Sequence, residues 1–68
     1  MALRKVGSQW YRLDGPNGVY ASIRAVGSGW WGFALRRDDG TLTEAEVYLL
    51  SRADAVTHAK QTFAKMEG

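Results

Sequence analysis

The stretch GSGWWGFALRR, Gly27 to Arg37, decides how this chain folds. Gly27, Gly29 and Gly32 match the G-x-G-x-x-G spacing of a dinucleotide-binding loop. That loop works only where its glycines follow a strand and open a helix, so that a pyrophosphate meets the free N–H groups of the first helical turn. Here Trp30-Trp31-Gly32-Phe33 follows instead, a run headed by strand-favouring aromatics, and the two indoles sit where backbone and phosphate must approach closely. The stretch is read as a Gly-Ser-Gly turn feeding a strand. Because side chains alternate along a strand, Trp30 and Trp31 face opposite sides of the sheet.

Upstream, VYASIRAV (Val19–Val26) alternates plainly, with Val19, Ala21, Ile23 and Ala25 on one face and Tyr20, Ser22 and Arg24 on the other. DGPNG (Asp14–Gly18) before it is turn chemistry: Pro16 fixes one φ, and Asn17-Gly18 tolerates the positive φ of a tight hairpin. QWYRL (Gln9–Leu13) supplies another strand. Three strands joined by short Gly-rich turns form an antiparallel meander over about 9–37. No internal repeat, linker or low-complexity tract is read in the chain.

Downstream of Asp38-Asp39-Gly40 the pattern changes. EVYLL is β-prone and is read as a short edge strand over about 46–50, with a short helix capped by Thr43 and Glu46 as the alternative. From about 52 to 66 the period becomes helical: Val56, Ala59, Phe63 and Met66 form one stripe, with Asp54, His58, Gln61 and Lys65 opposite. Ser51 stands where a helix N-cap is expected. The 68 residues make one domain, 1–68, of α+β class: a three-stranded antiparallel meander, or four-stranded with 46–50, packed on one C-terminal helix.

One helix covers one face of a sheet. The aliphatic face belongs under it: Tyr11 and Leu13, then Val19, Ala21, Ile23 and Ala25, then Trp31, Phe33 and Leu35. The opposite face is left open. It carries Trp10 and Arg12, then Tyr20, Ser22 and Arg24, then Trp30, Gly32, Ala34 and Arg36, and the alternation taken over these segments places no acid on it.

The chemistry available for catalysis is thin. There is no cysteine, and the single histidine, His58, falls on the polar side of the helix, so no nucleophile–base pair is assembled. Asp38-Asp39 before Gly40 is turn composition rather than a cation site. We therefore expect no catalytic residue, no cofactor, no metal and no small-molecule substrate. The opening MALRKVGSQWYRL lacks an apolar leader core, and no run approaches the roughly 18 apolar residues of a membrane span, so a cytoplasmic protein with no membrane partner is expected.

Charge points to a binding surface. Residues 1–37 hold six cations against one acid, a net +5, and residues 38–68 hold three cations against six acids, a net −3. Such a split suits a polyanion, head-to-tail self-association or internal pairing. Arginine interleaved with aromatic rings suits nucleic acid first: Arg12, Arg24 and Arg36 for phosphate or base edges, Trp10, Tyr20 and Trp30 for stacking, and Arg4, Lys5 and Arg37 as peripheral charge. It suits a protein partner nearly as well, either a second copy through the same face or a host protein blocked by a small phage or plasmid accessory inhibitor. A third reading makes the face a plain exterior, with arginine stems laid over the rings. A sheet backed by one helix resembles, at the level of fold alone, integrase arm-binding domains, which read DNA with a sheet. No signature motif accompanies that likeness, so no residue role carries over.

Overall fold

The computed structural model describes residues 3–43 and 46–67. Five strands, β1 (Leu3–Gly7), β2 (Trp10–Asp14), β3 (Val19–Gly27), β4 (Trp30–Arg37) and β5 (Val47–Leu49), lie in sequence order in one antiparallel sheet, followed by the helix α1 (Arg52–Glu67). The expected meander is β2–β4, and the segment 46–50 is a strand rather than a helix. The count of three or four strands is corrected to five, because β1 extends the sheet beyond the expected start at about 9.

β1 was missed because LRKVG carries two charges and no alternation of its own. The overlooked signal is a repetition: Val-Gly-Ser-x-Trp occurs at 6–10 and again at 26–30, against the reading of no internal repeat. The two copies fold alike. Gly7 pairs with Trp10 and Gly27 with Trp30, each across a two-residue turn, and each preceding strand shifts register just before the glycine. In the second turn Ser28 and Gly29 both take positive φ, 52° and 82°, the twist a two-residue hairpin requires; in the first, Gln9 takes φ 52°. Both copies send their tryptophan to the same face.

That face is the open one, since antiparallel partners share a side and Trp10 pairs with Arg24, itself paired with Gly32. The assignment of the two faces holds. Leu13, Val19, Ala21, Ile23, Phe33 and Leu35 are buried beneath α1, with Tyr11 and Trp31 packed at the margin. Trp31 turns inward and Trp30 outward, 44% exposed.

The helix is rotated slightly from its expected stripe. Its buried line is Ala55, Ala59 and Phe63, while Val56 and Met66 flank the core half-buried. The small alanines let the helix approach the sheet closely, and Phe63 fills the space that remains. This rotation brings His58 off the expected polar side: it is half-buried, edge-on to Phe33 with ring centroids 4.8 Å apart. Ser51 caps the helix as expected, its Oγ accepting from the Asp54 N–H at 3.1 Å. Among the described residues no helix is long and apolar enough to cross a membrane.

Candidate interaction face

The uncovered face divides along the strands into an ionic end and an aromatic end. At the ionic end Arg12 is the hub. Its Nε donates to Asp14 at 2.7 Å, its Nη2 reaches Asp38 at 3.4 Å, and its guanidinium lies 3.8 Å from the centre of the Tyr20 ring. Arg4, opposite Arg12 in the ladder, donates to the other oxygen of Asp14 at 3.0 Å. Arg36 donates to the Gly40 carbonyl at 2.9 Å. The expectation of a face without acids is thereby corrected. Asp14 lies two residues past Arg12 and Asp38 two past Arg36, so simple continuation of the alternation puts both carboxylates among the arginines.

The hydrogen bond from Arg12 holds the Asp14 carboxyl below its usual range, and the charge of Arg4 adds to this. The same bond raises Arg12. A carboxylate whose folded pKa is depressed contributes stability above its unfolded pKa and loses it as pH falls through the folded value. Asp14→Asn is therefore expected to lower the denaturation midpoint at neutral pH, with the gap to wild type closing as both are titrated into acid. The Asp14 side chain is 50% exposed and that of Arg12 30%, so solvent screens the pair and the gap is small; urea melts from pH 7 downward measure it.

The middle of the face is covered by its own side chains. The Trp10 indole N–H donates to Ser22 Oγ at 2.8 Å, which satisfies the one buried polar side chain among the described residues. Glu46, arriving just before β5, folds its carboxylate over Gly32: a Cβ there would meet Oε2 at 2.6 Å. Arg24 Nε donates to that oxygen at 3.3 Å, and the Tyr48 hydroxyl donates to Oε1 at 3.0 Å, which raises the Tyr48 pKa. A side chain at 32 would push this carboxylate aside.

The aromatic end lies at the β3–β4 hairpin. Val26, Gly27, Ser28, Trp30 and Tyr48 line an open depression of about 490 Å³. Val26 and Tyr48 escaped the sequence reading, Val26 although the alternation that places Arg24 on this face continues to it, Tyr48 because β5 had no fixed register. Of the expected site residues, Trp10, Arg12, Tyr20, Arg24, Trp30 and Arg36 share the open face. Arg37, opposite Val19, belongs to the helix side at the rim.

Among the described residues no group of three His, Cys, Asp or Glu side chains is placed to hold a metal ion. Comparison of the chain with protein-family models, with curated proteins and with solved structures finds no match.

Proposed function

We propose that this domain is a non-enzymatic binding module whose open sheet face engages a protein partner, anchored at Trp30, Val26 and Tyr48. The observation that carries this reading is the commitment of the arginines. Arg12, Arg24 and Arg36 each already donate to an acceptor of their own chain, and three carboxylates stand among them. A phosphate backbone approaching this end meets near-neutral paired charge, not the uncompensated positive stripe that drives nucleic-acid affinity. Trp30 and Tyr48, by contrast, stay 44% and 54% exposed beside a depression wide enough for an apolar side chain. Tryptophan, tyrosine and arginine on one face match the make-up of protein interfaces.

Nucleic acid is the second reading, favoured by the exposed tryptophans on the basic half of the chain. Exposed ion pairs are worth ~1 kcal/mol or less, so phosphate can compete for these arginines. Capture from lysate with and without nuclease, followed by titration of the purified captured partner, separates the two. On the protein reading capture survives nuclease, and Trp30→Ala weakens binding about thirtyfold, the loss of ~2 kcal/mol at an interface anchor, while Arg12→Ala changes it little. The result against it is capture abolished by nuclease, together with oligonucleotide affinity that drops roughly a hundredfold from about 50 to 200 mM salt.

A further inference from the structure

The two edges of the sheet are built differently. β1 carries Arg4 and Lys5 and a register break between Lys5 and Gly7, features that discourage another strand from pairing. β5 is guarded by its shortness, three residues, and by nothing in its side chains. Val47-Tyr48-Leu49 contains no charge, no proline and no register break, and it stands outermost beyond β4. Val47 on the helix side is 39% exposed, Tyr48 on the open side 54%, and Leu50 just past the strand 71%. An outermost strand presents a row of unpaired N–H and C=O groups that an extended chain can complete.

We propose that the occupant of this edge is the β5 strand of a second copy, antiparallel to the first across a two-fold axis at Tyr48, so that two five-stranded sheets become one of ten strands. A two-fold contact requires a surface complementary to itself. β5 meets that requirement. Pairing centred on Tyr48 sets Val47 against Leu49 of the second copy, and Leu49 against its Val47, apolar on apolar along the helix side that both share. Continuing the ladder one step sets Glu46 against Leu50, so the two carboxylates do not face one another. The edges left over are the two copies of β1, whose charge and irregularity stop further growth, and assembly closes at a dimer. A foreign peptide would satisfy the same backbone groups, but no charged side chain on β5 specifies one, whereas its own sequence supplies a matched partner. The arrangement goes beyond the proposed function: it places two Val26–Trp30–Tyr48 depressions on one continuous face, either side of the axis.

The absence of cysteine gives a clean test. Directly opposed residues in an antiparallel pair have Cα atoms roughly 4.5–5.5 Å apart, within the roughly 4.4–6.8 Å that a disulfide spans. Tyr48→Cys places its thiol opposite its own copy, whereas Val47→Cys faces Leu49 and Val6→Cys lies on the other edge. Sedimentation of wild type over a concentration series is expected to show a monomer–dimer equilibrium. Under oxidised glutathione, Tyr48→Cys is expected to form a covalent dimer roughly tenfold faster than either other variant, in keeping with the geometric demands of the bond. Tyr48 is exposed, so the variant retains the fold, which far-ultraviolet circular dichroism verifies. A wild type that stays monomeric at millimolar concentration overturns the proposal, as do equal cross-linking rates for the three variants. Trp30→Ala leaves the sedimentation unchanged, so failure of the dimer and failure of partner binding are read separately.

Discussion

Phe63→Ala is expected to bring the domain to the edge of unfolding at room temperature. Phe63 is fully buried, among the largest such side chains, and it is the one large side chain on the buried line of α1 beside Ala55 and Ala59. Truncating a buried phenylalanine costs about 3–5 kcal/mol, partly the lost burial and partly the cavity left behind. A core of this size, with no disulfide, supplies a net stability of about 3–5 kcal/mol. The two figures match, so the variant's net stability falls to about zero and unfolded chains become at least as abundant as folded ones. Because among the described residues α1 shields the aliphatic face, its release exposes Leu13, Ile23 and Phe33 together and removes the reason for the sheet to persist. Near-ultraviolet circular dichroism should lose its aromatic signal and urea titration should lose its cooperative transition. A variant that still melts cooperatively, with a midpoint near wild type, would show that the helix is not the support described.

Gly15→Ala should be the costliest of the glycine substitutions. A Cβ at Gly15 would lie 2.4 Å from one carbon of the Phe63 ring and 2.6 Å from two others, closer than carbon atoms pack. The ring is fully enclosed and has no free volume to swing into, so the strain passes to the β2–β3 turn or to the helix. Overpacking of this kind costs about 1–3 kcal/mol, a large part of what the domain has. The turn itself is held by Gly15 N–H to the Val19 carbonyl at 2.9 Å and by Val19 N–H to the Pro16 carbonyl at 3.1 Å, so it resists moving aside. At Gly27 or Gly29 nothing lies within 4 Å of an added Cβ, and only the positive φ of 101° or 82° opposes substitution. The physical cause is tested by a double-mutant cycle. In a Phe63→Leu background, where the ring is gone, Gly15→Ala should cost less by about 0.5–3 kcal/mol, the coupling expected of residues in contact. Strict additivity of the two substitutions would reject the steric explanation.

The open face of a small domain is usually judged by its most visible side chains, and here those side chains mislead about charge. Arg12, Arg24 and Arg36 stand out in the sequence beside Trp10, Tyr20 and Trp30, and the alternation places them on one side correctly. The partners of Arg12 were equally near: Asp14 and Asp38 continue the same alternation by one step. Glu46 was not legible in this way. Its position over Gly32 depends on how the chain returns from the β4 turn to lay β5 along the sheet, a contact between residues 14 apart for which no local pattern speaks. The helix shows a similar limit. Its existence and its cap follow from spacing, but which of Val56 and Ala55 lies innermost is set by how closely small side chains let it approach the sheet.

Local chemistry alone thus determined the hairpins, the strand alternation, the C-terminal helix and the opposite fates of Trp30 and Trp31, because turn residues and hydrophobic period act over a few residues. The repeated Val-Gly-Ser-x-Trp was sufficient to place β1 as well. Only the tertiary structure decided the pairing of Arg24 with Glu46, the rotation of α1, the seat of Phe63 on Gly15 and the place of β5 at the outer edge of the sheet. Each of these depends on distances between segments far apart in the chain, which are fixed when the layers pack and not before.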